Sequence, residues 1–549
     1  MATHRSPIPR FDSRTIDAIF QEIDHSHLPG GAVGISIAGR PVYRRGFGLA
    51  NMNLPQVLTP TTKLRVGSVT KQFTCFAYLL LCESGDVGLD DPVGRFIPEL
   101  NPIARQVTMR QLMSHTSGIR DIYLLFALFN EPYSRSGRIA QSVSSNDLMS
   151  WYRDVDDVDA PPNTTWIYNN GGYLLLSTSI ERISNRPLAD FLREWVLEPI
   201  GLHDTFLSLS DDRYGSNRGS QHVTSPDGGF EILNWGVDNY SGGGALVSTV
   251  DDLLRWLAHL ASPVMCRPDV VELMQQPQKL RNGCDSSYGL GLQIGIYNGY
   301  RYISHTGNAL GGSAEVVTVP DLGLDIAILV NRQDIWCSIF TRQILEACVP
   351  DTRAPAHRVP ASHVEGSFQS PTSGVVIQLS GGSHPRMGSG ARQIVSIDGR
   401  DMPFLEDSEG VLQCDESFEK GKLSVILVGN RRHPDSILLK DFGHTDELIR
   451  LQPSSAVDPS TLIGRYRSDP IHTDTTIIRS EAGLQWHTVG PFGTVIYELS
   501  HIGNLLFRAI PPSGSRVGFL GGMLSFDLIR RTLRFSCYRM RALIFERIR

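Results

Sequence analysis

No apolar run in the sequence is long enough to span a bilayer, and the stretch from Met1 to Arg10 lacks the apolar segment of a signal peptide. The expectation is a cytoplasmic protein with no membrane partner. Positive charge is not in excess either. The 51 Lys and Arg residues face 57 Asp and Glu, and a net charge of −6 offers nucleic acid no basic surface. Cysteine is sparse and scattered over positions 75, 82, 266, 284, 337, 348, 414 and 537, with no Cys-x-x-Cys pair and no zinc-like His spacing. Neither a metal nor another cofactor is expected, and Cys75 and Cys82 read as packed thiols. What is present is an ordinary globular composition, 41% hydrophobic and 20% charged, spread over 549 residues. That length exceeds what one hydrophobic core supports.

The stretch Val66-Gly67-Ser68-Val69-Thr70-Lys71-Gln72-Phe73 opens an amphipathic helix whose apolar stripe is Phe73, Phe76, Ala77, Leu80 and Leu81, with Gly85 as its stop. A three-residue offset puts Ser68 and Lys71 on one helical face, so the lysine nitrogen reaches the hydroxyl. The positive helix end favours negative charge developing on the serine oxygen, which is a weak nucleophile without a neighbouring base. Taken alone, the same four residues also fit an N-cap serine followed by a solvated lysine.

Upstream of this stretch, residues 14–27 read as a helix, and Ala32–Ala38 with Val42–Phe47 read as a β-hairpin. Downstream, Leu112-Met-Ser-His-Thr-Ser-Gly118 contains His115, which reads as a turn or cap residue. Tyr168-Asn169-Asn170 lies on the loop entering a helix striped by Tyr173, Leu176, Ile180 and Ile183, where its polar groups can face a cleft. Leu292–Tyr297, the turn Asn298-Gly299 and Tyr300–His305 form a second hairpin, which delivers His305-Thr306-Gly307 to a strand end. Ala314–Val319 and Leu324–Val330 form a third, and a helix near 337–348 follows. Strands at both ends with helices between imply one antiparallel sheet completed by both ends of an α+β domain over 1–350.

Residues 351–362 read as a linker. Beyond it the texture is short strands and turns, with a faint repeat. Gly366-Ser-Phe-Gln-Ser370 returns as Gly464-Arg-Tyr-Arg-Ser468, and Leu448-Ile-Arg-Leu451 is echoed by Phe545-Glu-Arg-Ile548. Two small all-β antiparallel barrels over 363–455 and 456–549 are the economical reading.

With Ser68-x-x-Lys71, Tyr168-x-Asn170 and His305-Thr306-Gly307 in this order, the first 350 residues resemble the serine β-lactamase and penicillin-binding-protein superfamily, in its class C-like branch. The two β modules extend the resemblance to the D-aminopeptidase subgroup, which carries two barrels after a β-lactamase/transpeptidase-like catalytic domain. The resemblance implies a metal-independent serine hydrolase with Ser68 as nucleophile and Lys71 and Tyr168 sharing the proton work. It also implies Asn170 as a partner of Lys71 and of the substrate amide. His305 replaces a lysine that holds a substrate carboxylate in most relatives, so substrates lacking that carboxylate are expected and β-lactamase activity is disfavoured. The backbone N–H groups of Ser68 and Asn308 are the expected oxyanion hole, with Thr306 and Gly307 lining the substrate. In D-aminopeptidases a loop of the last barrel enters the cleft with an acid on it. The matching stretch, 487–497, is apolar here and is expected to contribute Phe492 and Val495 to substrate binding. The implied activity is that of a D-aminopeptidase or D-amino acid amidase on a small or short-peptide substrate, with a homodimer as the candidate assembly. The alternatives are a carboxylesterase, an acyl transferase or peptide cyclase, and, last, a binding protein that keeps the fold without catalysis.

Overall fold

A computed structural model describes residues 9–129, 145–208, 216–225, 227–233, 241–349, 363–382, 392–415, 422–452, 458–481, 483–490, 493–512 and 521–548. The expected linker 351–362 and Phe492 lie outside the described residues. Six strands build the central sheet: β1 (Gly31–Ile37), β2 (Arg40–Phe47), β3 (Gln293–Tyr297), β4 (Tyr300–Ala309), β5 (Gly312–Val319) and β6 (Leu324–Val330). Their order is β3-β4-β5-β6-β1-β2, antiparallel throughout. The pairing of Val33 with Ile328 and of Ile35 with Ile326 joins the two sequence ends of the catalytic region.

Helices cover both faces: α1 (Ser13–Ile19), α2 (Thr70–Glu83), α3 (Ile122–Phe129), α4 (Gly171–Ser184), α5 (Val250–Ala261) and α6 (Cys337–Cys348). On one face, Ile16 and Phe20 meet Phe340 and Ile344 of α6 over Val33 and Ile35, with the Phe20 and Phe340 rings stacked 4.5 Å apart. On the other face Gly34 admits α5, for a Cβ there would lie 2.5 Å from Val250. Three sequence expectations shift. The first helix ends at Ile19 and continues only as a single 3-10 turn, Gln21–Ile23. The whole first part of α2, Thr70–Leu79, is buried rather than striped, because the helix runs between α4, α5 and the sheet. His305-Thr306-Gly307 sits within β4, which continues to Ala309, because Gly307 and Asn308 keep pairing with Ala314 and Ser313.

Two closed eight-stranded antiparallel barrels follow, from Gly366 to Arg450 and from Gly464 to Ile548. In each, the first strand closes on the last, pairing Phe368 with Arg450 and Tyr466 with Arg547. The repeat seen in the sequence marks this closure. Arg450 donates to the carbonyl of Glu365 and Arg547 to that of Ile463, in both cases the residue before the opening glycine. A side chain at Gly366 or Gly464 would collide with that arginine, whose atoms lie 2.4 and 2.9 Å from the respective Cβ positions. No helix among the described residues is long and apolar enough to cross a membrane.

Candidate active site

Ser68 sits in a 3-10 turn, Gly67–Val69, that feeds directly into α2. The turn is pressed against β4. A Cβ at Gly67, whose φ is +51°, would lie 2.7 Å from the Asn308 carbonyl oxygen, and one at Gly307 would lie 1.8 Å from that of Val66. Only glycine at both places lets the Ser68 and Asn308 backbones come this close. Thr70 reinforces the turn by donating to the Gly67 carbonyl at 2.6 Å while accepting from the Leu246 N–H at 3.0 Å.

One helical turn on, Lys71 is fully buried. Its Nζ lies 3.0 Å from Ser68 Oγ, 2.8 Å from Asn170 Oδ1 and 2.6 Å from the Gly243 carbonyl. Burial, and then the Arg539 cation, push the Lys71 pKa well below that of a free lysine, which favours the neutral amine. Asn170 Oδ1 and the Gly243 carbonyl can only accept. They take the two N–H bonds of that amine, and its lone pair is left for the Ser68 hydroxyl proton. Tyr168 is 5% exposed and hydrogen-bonded to Ser68. Burial raises its phenol pKa, while the Arg539 charge and the Ser68 hydrogen bond oppose the rise. The Lys71 nitrogen and the Tyr168 hydroxyl thus meet on the Ser68 oxygen.

The loop carrying Tyr168 and Asn170 is fixed by residues that the sequence left without a role. Asp121 accepts from the backbone N–H groups of Asn170, Gly171 and Tyr123. His115, at φ +60°, accepts the Asn169 N–H on Nδ1 at 3.1 Å and packs its ring 4.2 Å from that of Tyr168. Its reading as a turn residue fits the backbone but misses this support. Burial, and then the cost of a second cation beside a Lys71 ammonium, depress the His305 pKa to about 3. Its Nδ1 lies 2.6 Å from the Thr306 carbonyl and its Nε2 2.8 Å from the Tyr288 hydroxyl. A carbonyl only accepts, so the proton is on Nδ1 and Tyr288 donates to Nε2. His305 is therefore a buried neutral ring behind Tyr168 rather than a cation facing the substrate. Cys75 is a packed thiol, 3.3 Å from the Tyr173 hydroxyl.

Both barrels wall the site. Phe442 of the first stacks on Trp166 at 4.0 Å. From the second, the hairpin turn between Cys537 and Met540 carries Arg539, whose guanidinium carbon stands 4.5 Å from the centre of the Tyr168 ring. The described residues of the 487–497 stretch are two paired strands of another hairpin. Thr488 and Tyr497 donate to the Leu128 carbonyl, and Val495 is buried against α3, since the apolar side chains of these strands pack on an apolar helix. The hairpin turn with Arg539 is anchored by Arg120, which is 1% exposed. Arg120 pairs with Asp157 and Asp159 and donates to the carbonyls of Arg541 and Ala542, while Asp159 accepts the Arg541 N–H. A charged pair, Arg120-Asp121, set among Ile119, Ile122 and Tyr123 was the sequence signal for both supports.

The Beta-lactamase family model matches residues 16–336. The chain belongs to the beta-lactamase family. Among members outside this chain, the D-aminopeptidase of Brucella ovis (strain ATCC 25840 / 63/290 / NCTC 10512) is 25% identical over 87% of this chain and 86% of its own, so the likeness runs through both barrels. A penicillin-binding protein of Bacillus subtilis (strain 168) is 28% identical over 58% of this chain and 72% of its own. In structure, the octameric penicillin-binding protein homologue from Pyrococcus abyssi superposes with a TM-score of 0.55 at 20% identity, covering 80% of this chain and all of that one. The beta-lactamase fold thus accounts for the sheet, the helices and the turn that holds Ser68.

Proposed function

We propose that this chain is a serine hydrolase that cleaves amide bonds through an acyl-enzyme on Ser68, with the D-aminopeptidases and D-amino acid amidases as its nearest functional kind. The observation that carries the reading is the short approach of the buried Lys71, whose pKa burial lowers, to the Ser68 hydroxyl. Lys71 takes the Ser68 proton as the oxygen attacks the scissile carbonyl. The Ser68 and Asn308 N–H groups receive the oxyanion, each such donor stabilising the transition state by about 3 kcal/mol. Tyr168 gives its proton to the departing nitrogen. The site then holds a Lys71 ammonium and a Tyr168 phenolate, and Arg539 beside the ring stabilises the latter. In the second half, water adds to the acyl carbon and gives its proton to Tyr168, and Lys71 returns its proton to the leaving Ser68 oxygen. The cycle closes with no metal ion required.

Asn170 holds Lys71 and has an amide face left for substrate, while Thr306 and Gly307 line the strand along which substrate pairs. His305, through Tyr288, is a positioning residue for the aromatic wall. The likeness to D-aminopeptidase supports the substrate class and the D-preference. A test uses D- and L-amino acid p-nitroanilides, each with a free and an acetylated amine, on wild type and Ser68→Ala. Faster release from a D-compound, abolished in the variant, is expected. Turnover of p-nitrophenyl esters alone would make the chain an esterase, and release that survives Ser68→Ala would remove Ser68 as nucleophile.

A further inference from the structure

Arg539, on the second barrel, stands against the catalytic tyrosine with its guanidinium donors unused. Its guanidinium lies over the Tyr168 ring, half-exposed, with no hydrogen bond or ion pair to any of the described residues. Asp441, which lines the same cleft wall, is engaged by Arg541 at 3.2 Å. Asp121 is buried and saturated by three backbone N–H groups. Burial drives the bases nearby, Lys71, His115 and His305, towards their neutral forms, so the fixed charge of Arg539 dominates at the Tyr168 ring. Its position is not incidental, because the buried Arg120 and Asp159 clamp the carbonyl and the N–H of Arg541, two residues on. A cation over an aromatic face gains at most a modest attraction, whereas five donors in a planar fork match a carboxylate.

We propose that Arg539 receives an anionic group of the substrate, so that this chain prefers amide substrates carrying a carboxylate near the scissile bond. The proposal rests on the amide-hydrolase reading and sharpens its substrate class. The Tyr168 ring is also 4.8 Å from Lys71 Nζ, so a carboxylate on Arg539 is within reach of a short peptide bound at Ser68. His305, neutral and occupied, leaves that carboxylate to Arg539. The charge demand is opposite to that of an acid receiving a substrate ammonium.

The test compares two matched pairs. N-acetyl-D-alanyl-glycine and its glycinamide place the charge on the leaving side, and succinyl- and acetyl-D-alanine p-nitroanilide place it on the acyl side. In one pair wild type is expected to favour the anionic member about tenfold in kcat/KM, mainly through KM. Arg539→Gln brings the ratio to about one, Arg539→Lys keeps part of it, and Arg539→Glu inverts it. A ratio near one in both pairs, or one that Arg539→Gln leaves unchanged, overturns the proposal. An equal loss on charged and neutral members would make Arg539 a support of the Tyr168 phenolate alone, which also overturns it. Calorimetry with the same peptides on Ser68→Ala gives the answer without turnover. Absence of amide cleavage strikes the hydrolase reading, while absence of charge discrimination in binding strikes only the role of Arg539.

Discussion

Lys71 works as a base only while it is neutral, and burial together with the Arg539 charge keeps it so. Lys71→Arg, which keeps a long basic side chain but places a permanently charged group that does not deprotonate, is expected to lower kcat by about a thousandfold. The sign of the pH dependence follows. Activity on a neutral amide is lost as pH falls through the depressed Lys71 pKa, and Arg539→Gln, which removes the second cause of that depression, moves this acid limb to higher pH. An unmoved limb would detach Arg539 from Lys71. His305 yields a stability prediction of the same kind. Its pKa is about 3 in the fold and about 6.5 when unfolded, so the unfolded chain binds more protons between those values. Stability therefore falls as pH drops through this window, and between pH 7 and pH 4.5 His305 accounts for about 2 kcal/mol of the loss. Urea unfolding of His305→Gln at the two pH values is expected to show a correspondingly smaller loss than wild type, and equal losses would reject the assignment. At this scale the sequence displayed Ser68 with Lys71, and Tyr168 with Asn170, because each pair is local. It could not display Gly243, Asp121, Tyr288 or Arg539, which reach the site from distant positions in the chain.

Among elements, the decisive contact is the 3-10 turn at Gly67 against β4. The atoms in the way of a Cβ at Gly67 belong to the Asn308 backbone, which is held in the sheet by its pairing with Ser313 and cannot yield as a side-chain tip can. Gly67→Ala must also adopt a φ of +51°. The variant is expected to fold, with the Ser68 and Asn308 N–H groups spread apart and kcat reduced about a hundredfold at little cost in KM. A change in KM alone would place the oxyanion donors elsewhere. The elements themselves were legible where short-range physics decides them. Asn298-Gly299 closes its hairpin, and Asn298 adopts the left-handed φ of +48° such a turn requires. The extension of β4 past Gly307 was not legible, since Thr306 and Asn308 carry no strand pattern and gain it only from β5. Nor was the burial of α2, whose polar Thr70, Gln72 and Thr74 are paid for by tertiary partners such as Gly242 and Trp256.

At the scale of the molecule, the barrels are part of the catalytic region's core and not appendages to it. Every residue of α3 is buried. Leu124, Leu125, Leu128 and Phe129 share one cluster with Trp486, Val495, Tyr497 and Phe545 of the second barrel. Burying such side chains stabilises by about 2 kcal/mol each, and the second barrel is what covers them. The repeat of opening glycine and closing arginine announced two barrels in the sequence, yet nothing local told which hairpin would reach the tyrosine. The answer depends on Arg120, Asp157 and Asp159 fixing the hairpin turn at Arg539. A chain ended at Gln452 keeps Ser68, Lys71, Tyr168 and Asn170 but uncovers the α3 face. It is expected to aggregate, by light scattering, because four large apolar side chains on adjoining turns form a contiguous patch. Replacing Leu125 and Leu128 with glutamate in the shortened chain is expected to restore a monomer on gel filtration. That monomer should still be acylated at Ser68 by a fluorophosphonate, while lacking the preference for anionic substrates that Arg539 confers. A shortened chain that is soluble without those replacements would show that α3 finds its cover within the catalytic region itself.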